Sequence, residues 1–93
     1  MQTLRQEIIR LLRDSELSTR DLSRLLGIRE KEVILHLPHV AKSINAQGKR
    51  LQIFASTCRQ CGYVFKDRRR FTRPGRCPRC KSTTIDAPYF KIV

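Results

Sequence analysis

The sequence has no apolar run that approaches the ~20 residues a membrane-spanning helix needs. Its first residues, MQTLRQEIIRLLRDSE, mix charged side chains with apolar ones, so we expect no secretory signal and predict a cytoplasmic protein. The 93 residues also lack a Ser/His/Asp set, paired carboxylates in a plausible pocket and a phosphate-binding glycine loop. We therefore expect a protein that is not an enzyme and has no membrane partner.

Acidic residues are scarce, because only 8 Asp and Glu stand against 20 Lys and Arg, for a formal net charge of +12. Residues 51–93 hold ten basic and two acidic residues, whereas residues 1–50 hold ten and six. Such an imbalance favours a polyanionic partner, either nucleic acid or an acidic protein face.

All four cysteines lie in the second half, as two C-x2-C pairs separated by fifteen residues. Two thiolates three positions apart on a tight turn can point at one ion, and two such turns complete a tetrahedral site. The spacing predicts a zinc ribbon. The predicted ligands are Cys58, Cys61, Cys77 and Cys80.

Three alternatives to structural zinc fit the sequence less well. Disulfides conflict with a reducing compartment, and a thioredoxin-like redox pair needs a βαβ pattern that is missing. The two cysteine turns look like the knuckles of rubredoxin, which holds iron, but the strongly basic character of this segment favours zinc. His36 and His39 are not expected to be further ligands.

The first half predicts three helices. Apolar residues recur at helical spacing within 3–13, and Ser18 and Asp21 form a capping signal before a second helix that Gly27 ends. A third apolar stripe runs from Val33 to Ile44, and Pro38 inside it predicts a kink or a break.

A short helix, a glycine-containing turn and another helix are typical of a helix-turn-helix, and a strand over 49–56 follows as in a winged helix. We expect the wing to be a hairpin that begins with Tyr63–Phe71, and further strands at 83–85 and 89–93. The predicted class is α+β: a winged helix-turn-helix over residues 1–56, followed by a four-cysteine zinc ribbon with closing strands over 57–93.

With these helices, strands and cysteine pairs, the chain resembles a small prokaryotic family of winged-helix proteins with a rubredoxin-like zinc ribbon, described as predicted transcriptional regulators. The matching stretches span nearly the whole chain: residues 17–23, 26–27, 36–37, 39–43, 48–51, Cys58, 61–62, 64–69, 77–78 and Cys80. The resemblance implies the winged-helix fold and a DNA-binding role. Two departures are Pro38, within the expected recognition helix, and Lys81, where rubredoxin knuckles commonly have Gly.

We therefore predict that double-stranded DNA is the partner and regulation of transcription the function. Residues near the start of the third helix are expected in the major groove, and the other basic residues on phosphates. The predicted DNA-binding residues are Arg29, Lys31, His36, Lys42, Lys49, Arg50, Arg68, Arg69, Arg70, Arg73 and Arg76.

Other functions stay open from the sequence. A winged helix joined to a zinc ribbon also suits a module that docks on RNA polymerase or another transcription protein. RNA binding and a rubredoxin-like iron electron carrier are further alternatives. A homodimer is compatible with reading paired half-sites, although no residue demands it.

Overall fold

The computed structural model describes residues 3–93, which form three helices followed by two strands. The helices are α1 (Leu4–Asp14), α2 (Thr19–Leu26) and α3 (Glu30–Asn45), and the strands are β1 (Leu51–Phe54) and β2 (Tyr89–Ile92). This order confirms the predicted α+β class. No helix in residues 3–93 has the length and apolar character needed to cross a membrane.

Local sequence signals set the ends of the first two helices. Thr3 and Gln6 form a capping box at the start of α1, and Ser18 and Asp21 form the predicted one at the start of α2. In each box the side-chain oxygens accept from backbone amides that a helix end leaves unpaired. Gly27 ends α2 in the left-handed region at φ 67°, which costs glycine little.

The third helix runs through Pro38 without interruption, so of the predicted kink or break the break is wrong and the kink stays a prediction. Val33, Leu37, Val40 and Ile44 are all fully buried on one face, on both sides of the proline. Packing of this continuous face holds both halves of α3 on the same core, which outweighs the loss of one backbone donor. Pro38 itself is exposed to solvent.

The two strands pair antiparallel, with Leu51 opposite Ile92 and Phe54 opposite Tyr89. On the other side of β2, the segment between α1 and α2 adds an isolated bridge in which Leu17 and Phe90 exchange backbone hydrogen bonds of 3.0 and 2.8 Å. The C-terminal strand therefore lies between β1 and the chain that links the first two helices.

One apolar core joins the two halves of the chain. Phe90 and Ile92 of β2 lie in the same buried cluster as residues from all three helices. Phe71, from the second half, packs on this cluster with its ring centroid 5.6 Å from that of Phe90. The segment between the strands is thus attached to the helices by apolar contact as well as by the sheet.

The ribbon, residues 55–88, has little regular structure. Within it, the described backbone pairs as isolated bridges, Thr57 with Val64 and Cys58 with Ile85. The predicted strands at Tyr63–Phe71 and 83–85 are therefore wrong, and residues 65–76 form a loop of turns, here called the arginine loop. Pro74, which lacks a backbone donor, and the succession of like charges at 68–70 disfavour a paired strand there.

Phe90→Ala is expected to reduce the free energy of unfolding by about 3–5 kcal/mol, because it empties a fully buried site shared by helices and ribbon. Tyr89→Ala is the matched control, since the neighbouring strand residue is 45% exposed and should cost about 1 kcal/mol or less. Chemical denaturation of the zinc-loaded protein measures both. Equal losses in the two variants would contradict the shared core.

Candidate metal centre and basic surface

The four cysteines lie on two turns of the same construction. The amide of Gly62 donates to the carbonyl of Cys58, and the amide of Lys81 donates to that of Cys77, both at 2.9 Å. Gly62 has φ 80° and Lys81 has φ 63°, so both turns end in the left-handed conformation. Lys81, the departure from the rubredoxin pattern noted in the sequence, adopts this conformation despite its Cβ, at a higher cost than glycine would have.

Each turn also closes on the residue that follows it. The amide of Cys58 donates to the carbonyl of Tyr63 at 2.8 Å, and the amide of Cys77 donates to that of Ser82 at 2.9 Å. These bonds bring the two cysteines of each turn to the same side. The predicted knuckles are therefore present at both ends of the arginine loop.

The four sulfur atoms lie within 4.8 Å of one another. The Sγ–Sγ distances are 3.5 Å for Cys58 and Cys80 and 3.7 Å for Cys61 and Cys77. A disulfide would need about 2.05 Å, whereas a tetrahedron with Zn–S bonds of ~2.3 Å has edges of about 3.8 Å. The cluster consequently fits one zinc ion.

Burial of the ligands suits a structural site. Cys58 and Cys77 are buried, Cys61 is half-buried and Cys80 is exposed. Four thiolates fill the coordination shell of zinc, so no open position remains for a substrate. One structural zinc ion is thus the cofactor that this chain holds, as the cysteine spacing predicted.

The thiols differ in acidity because they share a small volume. Burial raises the pKa of Cys77, but hydrogen bonds from the backbone of Cys80 and Arg79 outweigh it and lower that pKa to about 7. The backbone of Ser82 favours the Cys80 thiolate, but desolvation and the three neighbouring thiols raise the pKa of Cys80 to about 12. A divalent cation offsets this crowding of negative charge and lets all four sulfurs ionise.

Contacts outside the cluster tie the first turn to the end of the ribbon. Arg59 Nε donates to Asp86 Oδ1 at 2.5 Å, and the Arg59 amide donates to the Thr84 carbonyl at 3.0 Å. Thr57 accepts a 2.9 Å bond from the Asp86 amide through its carbonyl. These contacts orient the buried ligand Cys58, which lies between Thr57 and Arg59 in the chain.

The aromatic residues of the ribbon pack on other apolar residues. Tyr63 and Phe65 meet edge to face with ring centroids 5.0 Å apart, and Phe71 packs on Phe90. These rings therefore contribute to packing within the protein.

Three of the predicted DNA-binding residues lie at the N-cap or in the first half of α3. Arg29 is the N-cap residue and makes no side-chain capping bond, and both Arg29 and Lys31 are exposed. His36 lies on a different side of the helix, half-buried, where its Nδ1 accepts a 3.3 Å hydrogen bond from Nε of Arg5 on α1. A role for His36 in DNA binding stays a prediction.

Three others come together from separate segments. Lys42 of α3 and Arg50, just before β1, line one surface groove, and Arg50 and Arg69 line a second groove along β1. The two grooves meet at Arg50 and Leu51. We call Lys42, Arg50 and Arg69 the basic strip. Lys49 lies apart from it, in a groove beside α1 that Arg10 and Arg13 also line.

The remaining predicted arginines of the loop have different surroundings. Arg68 is half-buried, and its Nη2 donates to the carbonyl and the hydroxyl of Thr72 at 3.3 and 3.0 Å. Arg70 and Arg76 are exposed, and Arg73 lines a cavity between α2 and the ribbon together with Arg59. Arg68 thus supports the shape of the loop.

Two features of this surface were not predicted from the sequence. Asp86 was not recognised as the partner of Arg59, because no local spacing relates residues so far apart in the chain. Leu35 was also overlooked, although its position four residues after Lys31 puts it on the outward face of α3, where it is 65% exposed.

Cys61→Ser is expected to abolish zinc binding and unfold at least the ribbon, because structural zinc supplies folding free energy directly. Gln60→Ala changes the exposed residue next to it within the same turn and should leave both properties intact. Zinc content per chain and thermal unfolding followed by circular dichroism measure the effect. A Cys61→Ser protein with unchanged melting would disprove the structural role of the metal.

Two family models match the chain. Residues 3–52 match the PF0610-like N-terminal domain, and residues 55–93 match the PF0610 rubredoxin-like zinc β-ribbon domain. The second match agrees with the cysteine geometry and confirms the rubredoxin-like zinc ribbon of the resemblance.

Among solved structures, the chain is similar to the solution NMR structure of protein PF0610 from Pyrococcus furiosus. The two are 37% identical with a TM-score of 0.78, over 97% of this chain and 88% of that one. No curated protein matches. From the matched domains and this likeness, the chain belongs to the PF0610-like family, with its rubredoxin-like zinc ribbon.

Proposed function

We propose that this protein binds duplex DNA and regulates transcription, with α3 in the major groove and the ribbon in the place of a wing. The observation that carries the proposal is the basic strip. Its three cations come from α3, from the residue just before β1 and from the arginine loop, and among the described residues no acid lines either of its grooves. Cations gathered in this way suit a run of phosphates.

The helical half supports the proposal through the α2–α3 pair. Three residues, Gly27 to Arg29, separate the helices, and the Ser23 hydroxyl donates to the Ile28 carbonyl across the turn. Val33 of α3 is fully buried and Ile28 is half-buried where the helices meet. These contacts fix the angle between the two helices, which a helix-turn-helix requires for docking in the major groove.

The connection between the two strands supports a ribbon in the position of a wing. β1 and β2 pair with each other, and residues 55–88 leave the sheet from β1 and return to it at β2. A wing is a loop between paired strands beside the helix-turn-helix. Here the zinc site would stabilise the conformation of that loop. Arg69, which lies in the loop, would contact the DNA backbone.

The first turn of α3 limits what that helix contributes to affinity. Glu30 and Glu32 flank Lys31, and all three are exposed, so phosphate attraction at this end is weak. Affinity should therefore come mainly from the basic strip, while the outward face of α3 supplies selectivity. The zinc site has no chemical role in this scheme, and we propose no enzymatic activity.

A second candidate function is docking on RNA polymerase or another transcription protein. Leu25 and Leu35 favour it, because these two large apolar side chains are 59% and 65% exposed on α2 and α3. Co-purification with the polymerase, combined with no retardation of duplex DNA at low salt, would select this function over DNA binding.

The test is electrophoretic retardation of a random duplex library, about two helical turns long, across a range of salt concentrations, followed by selection of bound sequences. The double variant Arg50→Ala/Arg69→Ala should weaken binding to all sequences and make the log–log salt slope shallower by about 1.8, since each phosphate contact contributes ~0.9. Arg68 stays unchanged in this variant because it holds the loop.

Arg10→Ala/Arg13→Ala is the matched control, because it removes the same charge from exposed positions of α1, away from the strip. Its salt slope should stay close to that of the natural protein. Equal slopes for the two double variants would show that total charge, and not the basic strip, governs binding.

A further inference from the structure

The outward face of α3 has an unusual composition. Lys31, Leu35, Pro38 and Lys42 recur at spacings of four, three and four, so they share one side of the helix. All four are exposed, and the buried residues of α3 lie on the opposite side. The face thus has a cation at each end and two apolar residues between them.

The length of this face matches the groove that it would enter. Lys31 and Lys42 are eleven residues apart, which corresponds to about 16 Å along a helix. The major groove of B-DNA is ~12 Å wide, so a helix in the groove can bring two such flexible side chains to the two bordering phosphate backbones. Leu35 and Pro38 would then face the base edges, and neither side chain has a hydrogen-bonding group.

Base edges in the major groove offer one apolar group, the C5-methyl of thymine. On this basis, and resting on the proposed DNA binding, we infer that Leu35 determines specificity by contacting thymine methyl groups. Its 65% exposure leaves enough apolar surface for such a contact. Pro38, which is one turn further along, bounds the contact on its C-terminal side.

Charge complementarity favours DNA over a protein as the occupant of this face. The apolar part is limited to two side chains, and cations stand at both of its ends, with Arg50 and Arg69 beyond Lys42 along the grooves. A protein-docking surface normally has a larger apolar centre that is depleted of charge. Two cations around a small apolar centre instead match a methyl-bearing groove between two phosphate chains, with the stronger attraction at the Lys42 end because Glu30 and Glu32 flank Lys31.

The experiment compares a duplex from the selection with the same duplex resynthesised with deoxyuridine for thymidine, which removes only the C5-methyl groups. The natural protein should lose affinity by roughly fourfold for each contacted methyl, the factor that corresponds to one buried methylene. Leu35→Ala should bind the two duplexes equally, with unchanged dependence on salt. Because Leu35 is exposed, this variant should fold normally, and circular dichroism verifies that.

Leu25→Ala is the matched control, since it truncates the other exposed leucine, on α2, and should keep the full thymine preference. The inference is overturned if Leu35→Ala keeps the thymine-to-uracil ratio of the natural protein, or if the selected sequences contain no A·T pair. In either case DNA binding itself stands. If the natural protein retards no duplex at low salt, the proposed function fails, and this inference fails with it.

Discussion

The convergence of four sulfur atoms on one ion is the constraint on which the second half of the molecule depends. Residues 55–88 have little backbone pairing of their own, since Thr57–Val64 and Cys58–Ile85 are isolated bridges. A metal that binds only the folded arrangement contributes its binding free energy to folding, which is about 10–16 kcal/mol for structural zinc in small domains. That contribution replaces the strand ladder that a hairpin would otherwise provide. The arginine loop is held between the two cysteine turns for the same reason.

The C-terminal strand connects this zinc-held unit to the helices. β2 lies between Leu17 and β1, and Phe90 is fully buried among the helical residues. Phe71 of the arginine loop packs on the same ring. The loop is therefore fixed relative to α3, which is why Arg69 and Lys42 can belong to one surface although 27 positions separate them in the chain.

The ten basic and two acidic residues of the second half give +8, and four thiolates with Zn²⁺ reduce this to about +6, so metal binding leaves the surface strongly positive.

The proposed function assigns different tasks to the two parts of this surface. Cations on the basic strip suit phosphates, which are the same at every base pair and so give affinity without selectivity. Between Lys31 and Lys42 the outward face of α3 holds Leu35 and Pro38, which have no hydrogen-bonding group. The planar side chains that can read base edges in pairs, Arg29 and Asn45, stand only at the two ends of the helix. An apolar contact such as the one inferred for Leu35 distinguishes one base pair from another by a smaller free energy than a paired hydrogen bond does. In this scheme a modest sequence preference is added to strong electrostatic attraction.

The sequence by itself determined the features that depend on residues close together in the chain. The cysteine spacing predicted the zinc site, Ser18 with Asp21 predicted a helix start, and Gly27 predicted a helix end, because a turn or a cap is made by residues only a few positions apart. Packing between distant segments decided the rest. Pro38 remains helical because the buried face of α3 continues past it, Arg68 turns inward to Thr72, and His36 faces Arg5 of another helix. Which side chains form one surface depends on contacts between segments far apart in the chain, and no local spacing contains that information.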